Sequence, residues 1–71
     1  MKKNKIKILL NGKVYLISKD KNIDELVKDL DLENKSFALA INGEVVKKEV
    51  FKHFIIKSNS KIEIISAVGG G

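Results

Sequence analysis

The chain has 71 residues, a length that suits one small domain with a single core. Its hydrophobic fraction of 44% predicts a folded chain, and its lack of cysteine excludes disulfides, thiolate nucleophiles and cysteine-based metal sites. Fourteen lysines and nine acidic residues give a net charge of +5. No apolar run approaches the length of about 20 residues that spans a bilayer, and no apolar segment follows the N-terminal lysines as in a signal peptide. We therefore expect a cytoplasmic protein that does not bind membranes.

The first 17 residues are predicted to form a β-hairpin. The first strand alternates, with Ile6, Ile8 and Leu10 on one face. Asn11-Gly12 is a strong hairpin signal, because both central positions of a type I′ turn need a positive φ. The returning strand covers residues 14–17, with Val14 and Leu16 on one face and Tyr15 and Ile17 on the other.

A helix is predicted to begin after Asn22. The side chain of Asn22 can cap the helix, and Glu25 can reach back to the Asn22 amide as in a capping box. The apolar residues that follow have the spacing of one buried helical face, namely Ile23, Leu26, Val27 and Leu30. We expect about ten helical residues, ending near Asp31 or Leu32.

The second half of the chain predicts three further strands. Residues 37–41 form the third strand, Asn42-Gly43 repeats the hairpin signal, and residues 44–46 begin a short return. Residues 47–54 are ambiguous, although Val50, Phe51 and Phe54 could line one side of a short helical turn. Residues 55–57 could add a brief edge strand. Residues 61–67 form the last strand, with Ile62 and Ile64 on one face and Ile65 on the other.

One helix with five short strands must cover one face of a mixed sheet, since each element has one apolar side to bury. This is the α+β arrangement called the ubiquitin-like β-grasp, here over residues 1–67 and followed by a flexible glycine tail at residues 68–71. The opposite face of the sheet is expected to carry Leu9, Tyr15, Ala38, Ala40 and Ile65. Such an apolar face either binds a protein partner or is covered by the stems of lysine side chains.

The residues offer little enzyme chemistry. His53 is the only histidine and has no motif around it, while the carboxylates cluster on the helix as a solvated and capping face. Neither a glycine-rich dinucleotide motif nor a phosphate-binding loop occurs. We expect a carrier or binding module that is not an enzyme and holds no metal and no cofactor.

The chain ends in Ala67-Val68-Gly69-Gly70-Gly71. A glycine run can thread a narrow channel, because no Cβ blocks its approach or restricts φ. Such an end suits a protein whose own C-terminus is the substrate of another enzyme. The plainer interpretation is a frayed end or a linker.

The segment Ala38-Leu39-Ala40-Ile41-Asn42-Gly43-Glu44-Val45-Val46, together with the glycine ending, resembles the ThiS sulfur carrier family. The resemblance implies that an E1-like, ThiF-type adenylyltransferase uses ATP to activate the carboxylate of Gly71. Sulfur from a donor such as a cysteine desulfurase then gives a thiocarboxylate, which a ThiG-type thiazole synthase consumes in thiamin biosynthesis. Gly69 and Gly70 would be the access route. The partner-binding residues would be Val68, Ile65, Ala40 and Leu9.

Three alternatives remain. A MoaD-like carrier performs the same chemistry for molybdopterin or another pathway, although such chains usually have prolines before the terminal glycines and this chain has none. The lysine-rich hairpin could bind nucleic acid, but arginine and tryptophan, which such proteins favour, are absent. The third alternative is a plain interaction domain with an inert tail.

Overall fold

The computed structural model describes residues 4–66, which form five strands, one α-helix and one 3₁₀ helix. The strands are β1 (Lys5–Leu10), β2 (Lys13–Ser18), β3 (Phe37–Ile41), β4 (Glu44–Val45) and β5 (Lys61–Ser66). The α-helix, α1, covers Ile23–Asp29, and the 3₁₀ helix covers Lys48–His53. The seven-residue α1 and the six-residue 3₁₀ helix are both too short to span a bilayer, so the described residues contain no candidate membrane helix.

The strands form one mixed sheet in the order β2-β1-β5-β3-β4, so the last strand of the chain lies in the middle. β5 runs parallel to β1 and antiparallel to β3. The two hairpins, β1–β2 and β3–β4, occupy the two sides of the sheet. The predicted α+β β-grasp arrangement is confirmed.

Helix α1 begins with the predicted capping box. The Glu25 N–H donates to Oδ1 of Asn22 at 2.8 Å, and the Asn22 N–H donates to Oε1 of Glu25 at 2.9 Å. The helix is shorter than predicted and ends at Asp29, because Asp31 turns to a left-handed φ of 62°. The N–H of Leu32 then donates to the carbonyl of Val27, which closes the end as a Schellman motif with aspartate in the usual place of glycine.

The core lies between α1 and one face of the sheet. Its fully buried side chains come from the helix, the sheet and the segment before β5, namely Ile8, Ile23, Leu26, Leu39, Ile56 and Ile62. The ambiguous segment 47–54 closes one end through its 3₁₀ helix, where Phe51 is buried and stacks on Phe37 with ring centroids 6.2 Å apart. Val50, predicted to line the same side as Phe51, is exposed instead.

Two details of the predicted sheet are wrong. Tyr15 does not lie on the face opposite the helix, because the two-residue turn pairs it with Ile8, and both side chains pack on the core side. Val14 and Leu16 occupy the opposite face in its place. Residues 55–57 form no strand, since Ile55 makes only an isolated bridge to Asn22.

Candidate functional site

The predicted reactive end lies outside the described residues. The residues concerned all follow Ser66, the last residue of β5: the predicted partner-binding residue Val68, the access residues Gly69 and Gly70, and Gly71. Ser66 is paired with Phe37 on β3. The described part of the candidate site is therefore the end of β5 and the surfaces around it.

The Asn11-Gly12 turn holds β5 from one side. Asn11 has a φ of 50°, as the turn requires, and its N–H donates to the carbonyl of Ile62 at 2.8 Å. Its side-chain Oδ1 accepts a hydrogen bond of 2.8 Å from the N–H of Ile64. The β1–β5 ladder ends at the Leu10–Ile62 pair, so this side chain extends the contact along β5 by one further hydrogen bond.

The Asn42-Gly43 turn holds β5 from the other side. Asn42 has a φ of 51°, and its N–H donates to the carbonyl of Lys61 at 2.8 Å. Its Oδ1 accepts from the N–H of Lys61 at 2.9 Å. Both turns therefore fix the register of the strand that leads to the terminal residues. Sequence reasoning gave these asparagines a turn role only, because their β5 partners are 53 and 19 residues away.

An apolar surface lies on the sheet face opposite α1, beside the end of β5. We call Ala38, Ala40, Val45 and Ile65 the terminal patch. The register pairs Ala38 with Ile65 and Ala40 with Val45, so the four side chains share one face of three neighbouring strands. Ile65 is 69% exposed and Val45 is 75% exposed. The structure thus brings the predicted residues Ala40 and Ile65 together and adds Val45, which sequence reasoning missed.

Leu9, the remaining predicted partner-binding residue in the described part of the chain, belongs to a different group. It lies on β1, where it pairs with Val14 on β2 and with Lys61 at the start of β5, whereas the terminal patch lies on β5, β3 and β4. We call Leu9, Val14 and Leu16 the hairpin patch. Both β2 members were missed, although the two-residue turn fixes which β2 side chains share a face with Leu9.

Acidic and basic side chains are distributed unevenly between the two sides of the sheet. The face that carries the two patches also carries Lys5, Lys7 and Lys61, with Glu63 as its one acidic residue in the described strands. Helix α1 carries acidic side chains on the other side, where Asp29 pairs with Lys21 and Asp24 pairs with Lys28 at 3.5 Å. The patch-bearing face is therefore apolar with a positive border.

The described residues contain no assembled catalytic group. His53 is exposed and lies at the end of the 3₁₀ helix. A shallow cleft between β4 and the 3₁₀ helix is lined mainly by apolar side chains, together with Asn42, Glu44 and Lys47. Within residues 4–66, no three histidine, cysteine or acidic side chains lie close enough to hold a metal ion.

The matches to known proteins each cover nearly the whole chain. The sequence model of the ThiS family matches residues 8–71. The sulfur carrier protein ThiS of Escherichia coli is 27% identical over 66 residues, which are 93% of this chain and all of that protein. The uncharacterised protein ycf40 of Porphyra purpurea is 32% identical over 66 residues, 93% of each chain.

Two further comparisons concern the fold and a larger protein. The crystal structure of the thiamine biosynthesis protein ThiS of Geobacter metallireducens superposes with a TM-score of 0.76 at 26% identity, covering 93% of this chain and 100% of that one. A thiazole synthase of Paramagnetospirillum magneticum is 26% identical over 66 residues. These are 93% of this chain and 20% of that protein.

Proposed function

This chain belongs to the ThiS family, and from that premise we propose that it is a sulfur carrier whose C-terminal Gly71 carboxylate becomes a thiocarboxylate. The observation that carries the proposal is the extent of the family match, which runs to Gly71 and so includes all three terminal glycines. The strand before them is held by hydrogen bonds from both hairpins. In this proposal the chain is a co-substrate, and its partner enzymes supply the catalysis.

The C-terminal carboxylate of Gly71 must be activated before it can accept sulfur, because a carboxylate is a poor electrophile. A C-terminal carboxylate is ionised near neutral pH, because its reference pKa is about 3.3–3.7. A ThiF-type E1 enzyme would join a carboxylate oxygen of Gly71 to the α-phosphorus of ATP, with pyrophosphate as the leaving group. The persulfide of a cysteine desulfurase or similar donor then attacks the carbonyl carbon and releases AMP. A thiol then attacks the donor's sulfur in the resulting S–S bond, forms a disulfide with it, and leaves the thiocarboxylate on Gly71.

The terminal patch is the proposed docking surface for these enzymes. It lies beside the end of β5, so a partner that covers Ala40 and Ile65 is positioned to receive the residues after Ser66. Exposed apolar surface of this kind typically marks a protein interface. Leu9 lies on β1, the strand beside β5, and its predicted role in partner binding stays a prediction.

We propose that the sulfur is used in thiazole formation. Support comes from the thiazole synthase relative, in which a segment similar to this chain is part of a longer polypeptide that carries that name. A thiazole synthase that takes sulfur from a carrier must bind the carrier's C-terminus. Covalent linkage of the two proteins is therefore chemically reasonable. The proposed partners are a ThiF-type adenylyltransferase, a sulfur donor and a ThiG-type thiazole synthase.

Intact-mass spectrometry tests the carrier role. The chain is incubated with a ThiF-type enzyme, ATP, a cysteine desulfurase and cysteine, and the expected gain is the mass difference between one sulfur and one oxygen atom. A variant with one alanine added after Gly71 should remain unmodified while keeping its fold. Loading of the extended chain at an equal rate would contradict the proposal. Supplying the loaded chain to thiazole synthase or to the large subunit of molybdopterin synthase then distinguishes the pathway.

A further inference from the structure

We propose that the outer edge of β2 binds an extended, acidic segment of a protein partner as an added strand. β2 is the outermost strand on its side of the sheet, and no described strand lies beyond it. This surface includes Val14 and Leu16 of the hairpin patch, which have no part in the proposed carrier chemistry. The inference goes beyond that chemistry, because it concerns a separate part of the molecule.

Two residues of β2 direct their backbone hydrogen-bonding groups away from the sheet. The Leu9 N–H donates to the Ser60 carbonyl at 2.9 Å and so points away from β2. Leu9 and Val14 are therefore a pair without mutual hydrogen bonds, and the backbone N–H and C=O of Val14 point outward from the sheet. The same holds for Leu16, whose partner Lys7 uses its carbonyl to accept from the Asn59 N–H. Two residues of β2 thus present complete donor and acceptor sets to an added strand.

The side chains of the same two residues are exposed on one face of the sheet. Val14 is 62% exposed and Leu16 is 59% exposed, and both lie on the face away from α1. An added strand places alternate side chains over this face, where apolar ones would cover Val14 and Leu16. Backbone hydrogen bonds supply affinity in this mode of recognition, and the side-chain contacts supply selectivity.

The charge around β2 defines the chemistry of the partner. Residues 4–19 contain no acidic side chain. Four lysines border the edge: Lys13 at the start of β2, Lys19 just after it, and Lys5 and Lys7 on the neighbouring strand. Lysines on an edge strand discourage pairing between like-charged copies of one chain, but they attract a segment rich in aspartate or glutamate. The edge therefore suits an acidic partner better than a second copy of this chain.

The position of the edge permits binding while the terminal site is in use. The register places Val14 level with Leu9 and Lys61, at the start of β5. The terminal patch lies on β5 near Ser66 and on β3 and β4 beyond it. A strand added to β2 would leave that patch uncovered. The acidic segment could thus belong to a protein that holds the carrier while an enzyme works on its end.

Nuclear magnetic resonance with defined peptides tests the proposal. The probe is an acetylated and amidated octapeptide of alternating glutamate and valine, and the control replaces each glutamate with lysine. With the acidic peptide we expect shifts concentrated at the amides of residues 13–19, slower hydrogen exchange at Val14 and Leu16, and weaker binding at higher salt. Equal binding of the lysine peptide, or shifts centred on another surface, would overturn the proposal.

A matched pair of double variants isolates the charge contribution. Lys5→Gln/Lys7→Gln should weaken binding of the acidic peptide about fivefold at low salt, since exposed ion pairs are individually modest. Lys47→Gln/Lys52→Gln changes the net charge equally but lies away from β2, so its affinity should stay near that of the wild type. All four side chains are exposed, which keeps the core intact. Equal loss in both variants, or self-association through β2 in sedimentation at the concentrations used, would contradict the assignment.

Discussion

The side-chain Oδ1 of Asn11 accepts a hydrogen bond of 2.8 Å from the backbone N–H of Ile64, which lies 53 residues further along the chain. Asn11 is a turn residue with a φ of 50°, so one residue both shapes the first hairpin and holds the last strand. Asn42 does the same at the other turn with Lys61. The two turns therefore link each hairpin to β5 by a side chain as well as by the backbone.

Substitution of Asn11 tests this link. Asn11→Gly tolerates the positive φ but removes the acceptor, whereas Asn11→Asp keeps both an acceptor oxygen and a tolerance for that φ. We expect the glycine variant to lose about 1 kcal/mol of unfolding free energy and to exchange the Ile64 amide faster. The aspartate variant should stay close to the wild type in both measurements.

Asn42→Gly serves as the control for position. It should speed exchange at Lys61 and leave Ile64 unchanged, because its side chain bonds only the former. Denaturant unfolding and amide exchange measured on all three variants give the comparison. Unchanged protection of Ile64 in Asn11→Gly would mean that the hydrogen bond does not stabilise the end of β5.

Removal of the helix cap is predicted to destabilise the fold. Asn22→Ala loses the acceptor for the Glu25 N–H, and such losses typically cost about 0.5–2 kcal/mol. Asn22→Ser should retain most of the stability, since serine caps nearly as well. Asn34→Ala is the control, because Asn34 is exposed and lies outside the helix. Urea unfolding measures all three, and equal stability of Asn22→Ala and the wild type would exclude a contribution from the cap.

Two identical changes on β5 compare its two faces. Ile62 is fully buried and Ile65 is 69% exposed, although they are three residues apart. Ile62→Val should lower the unfolding free energy by about 0.5–1.5 kcal/mol through a small loss of packing. Ile65→Val should stay within about 0.5 kcal/mol of the wild type, as surface changes usually do. The reverse order would mean that the assignment of faces on β5 is wrong.

The docking role of the terminal patch has its own kinetic test. Ile65→Ser should raise the KM for activation by a ThiF-type enzyme about fivefold, equivalent to about 1 kcal/mol of lost apolar contact. The value of kcat should hold, because the change removes binding shared by the ground and transition states. Val14→Ser, a change of similar exposure on the same face, should leave KM unaltered. Equal effects of the two variants would place the docking surface elsewhere.

The sequence predicted the main elements because their signals are local. The Asn-Gly turns, the alternation of β3 and the capping box each involve residues within a few positions of one another. The end of α1 was placed too late, since a left-handed Asp31 carries no glycine signal. Tyr15 was assigned to the wrong face because residues 14–17 are all apolar, so alternation alone could not choose between their faces.

The candidate site was harder to predict than the fold. Its terminal glycines are proposed from the family resemblance and their unusual composition, while Val45 and the asparagine links depend on which strands become neighbours. Val45 enters the terminal patch because β4 pairs with Ala40, and Asn11 reaches Ile64 because β5 inserts beside β1. Contacts between distant segments of this kind are set by topology, which residue spacing alone does not determine.

The central position of β5 also affects the biogenesis of the protein. The sheet joins its first and last strands side by side, so β5 must be synthesised before the two hairpins can be united. A chain truncated before β5 would lack the strand that connects β1 with β3, and it would expose apolar faces that proteases and chaperones recognise. A polypeptide that has assembled its sheet has therefore already been translated through β5, the strand that precedes the proposed site at Gly71.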